Sequence, residues 1–379
     1  MARVATRVGS TPTRTSGRND IQRARRRVVP FLFAAIAALL LGLWAGLLRI
    51  GWDLPVGDGD LTLRHGGLMV VGFVGTVIAV ERAVALGSPP AFAAPAASAA
   101  AGVALIAGAP ASVAAGLATL AAVTYSLTIA VLLARHRLPP LAVMLAGGVC
   151  LVVAAALWWD GESMRRVVLW WMSFLVLTVG AERLEIIRFQ RFTRADALAG
   201  LAVLLLLLLG PAVAQGDIEV GTRLLGLALA LGPFWLVRRD IALRTARTDG
   251  LARFAAIGVL TASAWLVVAG VLLATQSVQG GLEYDAVVHA FFIGFVFGAI
   301  IAHAPIVAPS VTGLRFAYTP LLYLPLAALD GALLARIAAD FEEWADVRRW
   351  AGMTQALAIV LFLVLTVASV LRGRTHEAA

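Results

Sequence analysis

The chain has 379 residues, of which 61% are hydrophobic and only 14% are charged. A soluble protein would carry about 25% charged residues, so this composition excludes a soluble globular fold. The net charge of +9 comes from arginine alone, since the sequence has no lysine. In a membrane protein such an excess sets orientation and does not indicate nucleic-acid binding. The single cysteine, Cys150, excludes an internal disulfide and a Cys-x-x-Cys-His haem attachment.

Residues 1–28 hold eight arginines and one acidic residue, which predicts a disordered, basic cytoplasmic N-terminus. The apolar stretch that follows is too long for the core of a signal peptide, and it begins a membrane domain over residues 29–371. Helices that cross about 30 Å of hydrocarbon need about 20 apolar residues. Apolar blocks of about this length lie at 28–50, 64–86, 90–108, 111–134, 139–159, 166–188, 196–214, 222–237, 254–275, 286–308, 317–338 and 349–371. Residues 372–379 then form a cytoplasmic tail.

The connections between these blocks alternate in charge. Acidic residues occupy five of the six connections after odd-numbered blocks, and arginines occupy four of the five connections after even-numbered blocks. Because positively charged loops stay in the cytoplasm, both termini are predicted to be cytoplasmic. The sequence therefore predicts an all-α, polytopic protein of a bacterial cytoplasmic membrane, with twelve transmembrane helices and the lipid bilayer as its partner.

Helices 2, 6 and 10 share a sequence register. In each, a phenylalanine is followed eight residues later by an ionisable residue, and each is the second helix of a block of four. This pattern predicts three pseudo-repeated four-helix units with equivalent helices around one axis. The phenylalanines are Phe73, Phe174 and Phe295, and the ionisable residues are Glu81, Glu182 and His303.

Glu81, Glu182 and His303 are expensive to bury in a bilayer and are candidates for function. Together they could bind a divalent metal such as copper, or relay protons as part of a secondary transporter. The alternative is that each glutamate pairs with an arginine of another helix, because adjacent residues do not face each other on a helix. The arginines available for such pairs are Arg82, Arg183 and Arg188.

His65 and His289 each open a helix that runs inward, so both are predicted to lie near the outer face of the membrane. Two neutral imidazoles that face each other across a bundle can ligate haem iron from both sides. The glycines near His65 would let a flat macrocycle approach the helix; they are Gly66, Gly67, Gly72 and Gly75. The alternative is two unrelated interfacial histidines that are hydrogen-bonded to loops. At 100° per residue, His65 and Glu81 lie ~160° apart around helix 2, so the two candidate sites need not share a cavity.

The segment His65–Met69, HGGLM, resembles the helix-2 motif His-Gly-x-(Ile/Leu)-Met of the heme-copper oxidase catalytic subunit. The helix that starts at His289 and closes with Thr312-Gly313 resembles helix 10 of that family. The resemblance implies that His65 and His289 hold a haem b. It also implies that Arg348 and Arg349 hold the haem propionates, a task that suits the planar, bidentate guanidinium.

The chain departs from that family at its catalytic centre. Val287 stands where the family has a histidine for the second haem, and no histidine lies between His136 and His289 to supply the copper ligands. A haem–copper oxygen-reducing centre is therefore not expected. The segments HGGLMVVGFVGTVIA and HAFFIGFVFGAIIA are more similar to the NnrS family. That resemblance implies electron transfer or tolerance of nitric oxide, with a redox partner protein; whether the chain is an enzyme stays open.

Two other functions are compatible with the sequence. A secondary transporter would be favoured by broken helices, but Pro305 and Pro309 are predicted to lie at a helix end. A cofactor-free assembly factor is the third candidate.

Trp158, Trp159, Trp170 and Trp171 flank one acidic connection and predict an interfacial aromatic belt.

Overall fold

The computed structural model describes residues 14–55, 61–276 and 280–375. Within these ranges it has twelve helices that are long and apolar enough to cross a membrane, which confirms the predicted all-α polytopic fold. We number these helices α1 to α12 in chain order. They span Arg14–Arg49, Leu61–Leu86, Pro89–Ile106, Ala111–His136, Pro139–Trp159, Met164–Ile186, Arg194–Val213, Ile218–Val237, Gly250–Thr275, Gly281–Thr312, Pro320–Phe341 and Ala345–Thr375. We call the end that carries the connections after odd-numbered helices the acidic end, and the opposite end the basic end.

The two terminal helices are longer than the sequence predicts. Residues 14–28, which were expected to be disordered, belong to α1, and the expected tail from residue 372 continues as α12 to Thr375. Arginine is a good helix former, so these segments extend the hydrogen-bond ladder of the apolar helix beside them. The rest of the predicted N-terminal and C-terminal segments, residues 1–13 and 376–379, lies outside the described residues.

Helices α2, α6 and α10 form the centre of the bundle. In each, 67% of the most apolar window is buried, whereas the other nine helices have between 22% and 50% buried. Sequence neighbours pack against one another around this centre, and α12 packs against α1. Phe73, Phe174 and Phe295, the shared phenylalanines of the sequence register, are all buried. The three helices singled out by the register are thus the three central helices.

Helices α2 and α10 each contain a π-helical segment, over Leu68–Gly75 and Ala290–Phe297. Such wide turns are rare and occur frequently at functional sites. The two segments meet in the bundle core, where the rings of Phe73 and Phe297 stack with centroids 5.7 Å apart. A rotation of 100° per residue does not hold across a π-helix, so the sequence-based angle between His65 and Glu81 does not describe α2.

Pro305 and Pro309 lie in the last eight residues of α10, close to the helix end at which the sequence predicts them. Both lie inside α10, which continues to Thr312 and ends at Gly313 in the left-handed conformation, with φ 67°. Neighbouring helices can stabilise a proline within a membrane helix because they re-satisfy the freed backbone groups. The described part of α10 is thus continuous through both prolines.

Helices α8 and α9 approach backbone to backbone at Gly226 and Gly270. A Cβ atom added at Gly226 would lie 2.6 Å from Ala274 N and 2.7 Å from Gly270 O. Small residues permit this kind of contact between membrane helices, where packing rather than the hydrophobic effect holds helices together.

We therefore expect Gly270→Leu to destabilise the bundle, since its added side chain would collide with the α8 backbone. Overpacking typically costs ~1–3 kcal/mol. The matched control is Gly331→Leu, because Gly331 is exposed on α11 and a Cβ there meets nothing within 4 Å. Thermal unfolding of the purified proteins in detergent would show a lower midpoint for Gly270→Leu alone. Equal midpoints for the two variants would contradict the close approach.

Candidate cofactor site

A cavity of about 980 Å³ opens at the acidic end of the bundle, between α1, α2, α6, α10, α11 and α12. His65 and His289 both line it, so the structure brings together two side chains that are far apart in the sequence. Residues of the α3–α4 and α9–α10 connections also contribute to its wall. Small-molecule and cofactor sites typically have ~300–1,000 Å³, and this cavity lies at the upper end of that range.

Both histidines are anchored through Nδ1 to a backbone carbonyl. His65 Nδ1 donates to Gly42 O of α1 at 2.7 Å, and His289 Nδ1 donates to Asp285 O at 2.8 Å. A carbonyl oxygen only accepts, so Nδ1 carries the proton and Nε2 keeps the lone pair of the neutral ring. Metal-ligating histidines generally donate their other ring N–H in this way. Both imidazoles therefore have the tautomer that a metal ligand needs.

Gly46 of α1 makes room for the His65 ring. A Cβ atom at this position would lie 2.9 Å from Cε1 and 3.2 Å from Nδ1 of His65. Cβ atoms essentially never come that close to another atom, so a larger residue would push the imidazole away from Gly42 O. The glycine on α1 thus permits the hydrogen bond that orients His65.

Asp285 fixes the His289 turn to the neighbouring helix. Its Oδ1 lies 3.4 Å from His289 Nδ1, and its Oδ2 accepts from Arg336 Nε at 3.1 Å and Nη2 at 2.8 Å. Arg336 also donates from Nη1 to Gln355 Oε1 at 3.2 Å. This chain of contacts joins α10, α11 and α12 behind one histidine. Neither Asp285 nor Arg336 was identified from the sequence, although a charged residue within an apolar span is a signal of function.

The cavity is strongly cationic. Among the described residues that line it are five arginines and one carboxylate, Asp285, which already binds Arg336. The arginines come from α1, α2, α6, α11 and α12; they are Arg49, Arg64, Arg165, Arg336 and Arg348. A cavity with this charge and largely apolar walls suits an apolar molecule that carries negatively charged groups.

The predicted arginine pair is split. Arg348 lines the cavity, and its Nε lies 3.7 Å from Oδ1 of the fully buried Asp340 side chain. Arg349 is not part of the cavity wall, and its guanidinium lies 5.0 Å from the ring centre of Trp52. Consecutive helical residues point about 100° apart, and here that difference turns Arg349 away from the cavity. Only Arg348 keeps the predicted position.

Only two of the four glycines near His65 lie at the cavity. Gly66 and Gly67 line the cavity, whereas Gly72 and Gly75 do not. A Cβ at Gly72 would lie 2.8 Å from Ala38 Cβ, and one at Gly75 would lie 3.0 Å from Ser98 Oγ. These two glycines therefore let α1 and α3 approach α2, and the expectation that they face a macrocycle is wrong.

Most of the predicted aromatic belt is buried instead. Trp158 and Trp171 line the cavity and pack edge to face with ring centres 6.1 Å apart. Trp170 is 9% exposed, and only Trp159, at 57%, has the exposure that an interfacial belt requires. Tryptophan clusters next to a connection can thus belong to a cavity wall, a distinction that the sequence does not carry.

The second candidate site contains an ion-pair bridge. Arg82 Nη2 donates to Glu81 Oε1 and to Glu182 Oε1, each at 2.6 Å. The structure brings the two glutamates together, but it places a guanidinium between them. It also corrects the expectation that adjacent residues cannot pair, because the long arginine side chain reaches back to Glu81.

Within the described part of the chain, His303 is not hydrogen-bonded to this bridge; it lies in the wall of a second cavity with Arg183 and Asp240. Within the described ranges, no group of three or more His, Cys, Asp or Glu side chains is arranged to hold a metal ion. The metal or transport role of Glu81, Glu182 and His303 stays a prediction, and the observed contacts favour the ion-pair alternative.

Comparison with known proteins places the chain in a family but not in a biochemical role. No curated protein matches the chain. Residues 27–371, which hold eleven of the apolar spans, all but the last two residues of the twelfth, and every residue named for the cavity, match the family described as Domain of unknown function (DUF8744). The chain belongs to the DUF8744 family.

Proposed function

We propose that this protein binds haem b in the cavity at the acidic end, with His65 and His289 as the axial ligands. The observation that carries the proposal is that both histidines line one cavity while their Nδ1 atoms are held by backbone carbonyls. This arrangement leaves two Nε2 lone pairs for one metal. The resemblance of the two helices to the heme-copper oxidase and NnrS families supports the same assignment.

The other residues of the cavity fit the group. A haem needs apolar walls for its macrocycle and cations for its two propionates. Val70, Phe292 and Val296 are among the apolar lining residues, and Arg348 and Arg336 are among the cationic ones. Arginine binds carboxylates through a planar, bidentate fork. Gln355, which also lines the cavity, holds Arg336 in place.

The proposed role is electron transfer or tolerance of nitric oxide. Bound haem b supplies reversible one-electron chemistry. When the protein provides both axial ligands, no iron position stays open for a substrate, which favours electron transfer over oxygen reduction. The link to nitric oxide rests on the resemblance to the NnrS family. A redox partner protein is part of this proposal.

We further propose a bacterial cytoplasmic membrane as the location, with both termini in the cytoplasm. The alternating charge of the connections supports this orientation, because arginine-rich loops stay inside. The acidic end, and with it the candidate haem cavity, would then face the outside. A redox partner or substrate would approach the cavity from that side.

Replacing either axial histidine tests the haem assignment. We expect the wild-type protein to hold about one haem b, with a Soret band and sharp reduced α and β bands. His65→Ala and His289→Ala should each lose these low-spin bands, because each removes one iron ligand. His303→Ala is the matched control, since this histidine lies in the second cavity. Absorption spectra and haem-to-protein ratios of the purified proteins provide the measurement.

Two results would reject the haem assignment. One is the absence of a Soret band from wild-type protein that was produced with sufficient haem. The other is an unchanged low-spin spectrum in both cavity variants. Size-exclusion chromatography of each variant would show that lost bands reflect a lost ligand rather than a lost fold.

Arg348 and Arg349 provide a second test, of the residue that holds the propionates. Removing a cation beside the propionates stabilises the oxidised haem, so Arg348→Ala should lower the midpoint potential. The shift should be on the order of tens of millivolts, since a one-electron couple moves by about 59 mV per 1.4 kcal/mol. Arg349→Ala should leave the potential unchanged, because Arg349 contacts Trp52 instead. Redox titration of both variants checks this, and equal shifts would contradict the assignment of Arg348 alone.

A further inference from the structure

A second cavity, of about 420 Å³, lies between α5, α6, α7, α8, α9 and α10. Phe192 and Asp240 of its wall belong to connections that follow even-numbered helices, so the cavity opens towards the basic end. Its walls are mostly apolar and include Val143, Leu177 and Leu266. We propose that this cavity binds a lipid-soluble molecule with a hydroxyl group at its polar end, such as a hydroquinone or a long-chain alcohol.

The polar groups of the cavity determine what the ligand must offer. Arg183 and Asp240 satisfy each other: Arg183 Nε donates to Asp240 Oδ2 at 2.7 Å, and Arg183 Nη2 donates to Asp240 Oδ1. Asp240 Oδ1 also accepts from Ala242 N at 2.8 Å. This pair is mutually neutralised, and a ligand with a full charge would gain little from it.

His303 is a polar side chain of the wall that has a free hydrogen-bonding atom. Its Nδ1 donates to Ala299 O at 2.9 Å, which fixes the proton on Nδ1. Among the described residues, none is hydrogen-bonded to its Nε2. The lone pair on that nitrogen accepts a hydrogen bond, so the complementary ligand group is a donor. A neutral hydroxyl group is the donor that can also dissolve in a membrane.

The position of the cavity indicates how the ligand arrives. Leu201 lines the cavity, and 49% of this residue is exposed on the outside of the bundle. Phe192 also lines the cavity and is 36% exposed. On a helix long enough to cross the bilayer, such a surface at α7 faces lipid. The cavity thus reaches the hydrocarbon phase, and the ligand is one that the bilayer itself carries.

The two cavities lie on opposite sides of one helix segment. The π-helical segment Ala290–Phe297 of α10 gives Ile293 and Phe297 to the first cavity and Phe295 to the second. The second cavity nevertheless contains neither His65 nor His289. The proposal for it is therefore independent of haem binding, and either proposal can fail without the other.

Three probes of equal tail length test the hydroxyl requirement: decylhydroquinone, 1-decanol and decyl methyl ether, which has no donor. Native mass spectrometry of the full chain in detergent would measure their binding. We expect at least one hydroxyl probe to bind about tenfold more tightly than the ether, since a hydrogen bond of this kind contributes about a factor of ten. A preference for decylhydroquinone would identify a ring as the polar end, and equal binding of both would identify a simple alcohol.

Variants locate the binding within the second cavity. Gly180 lines it, and a Cβ there meets nothing within 4 Å, so Gly180→Leu fills the space without a clash. This variant should lose at least tenfold in affinity while keeping its thermal midpoint. Gly331→Leu, on the exposed face of α11, should bind as the wild type does. His303→Phe should abolish the preference for a hydroxyl group over the ether.

The proposal is overturned if the ether binds as tightly as the hydroxyl probes, which would indicate general uptake of membrane lipid. It is equally overturned if Gly180→Leu binds the probes with wild-type affinity. Haem content does not affect either result, because Gly180 does not line the first cavity.

Discussion

The stacked rings of Phe73 and Phe297 join the two central helices at the point where both leave the regular α-helical path. On the acidic side of this contact, α2 and α10 carry His65 and His289, which line the first cavity. On the basic side, the same helices carry Glu81 and His303. The spacing of the two candidate sites along the bundle follows from this one contact, because both helices are positioned by it.

The two ends of the bundle handle buried charge differently. At the basic end, Arg82 forms ion pairs with two glutamates and Arg183 forms one with Asp240. Both guanidinium groups therefore have carboxylate partners within the protein. At the acidic end, the cavity has far more arginines than carboxylates. Charge inside a bilayer is costly, and an anionic group bound in the cavity would reduce the cost of its arginines. The described lining of the cavity thus combines the two histidines with five arginines, of which Arg336 and Arg348 have carboxylate partners.

The sequence was sufficient for the topology but only partly sufficient for the site. Hydropathy identifies each span independently of the others, so twelve helices could be predicted without knowledge of their packing. His65 and His289 were found because ionisable residues in apolar spans are rare. Arg336 and Asp285 were missed, since which face a side chain occupies depends on packing between distant helices. The π-helical segments were missed because periodicity arguments assume a constant 100° per residue.

Helix α2 is held by an ion pair near its basic end and contains a π-helical segment nearer its acidic end. Arg82 ties it to Glu182 of α6, while the wide turns of Leu68–Gly75 lie between that ion pair and His65. A π-helical turn holds more residues than an α-helical one, so a change between the two forms would rotate and shift one part of the helix relative to the other. With Arg82 held, this movement would fall on the histidine end alone. A rotation of this kind would carry His65 away from Gly42 O, the carbonyl that orients its ring.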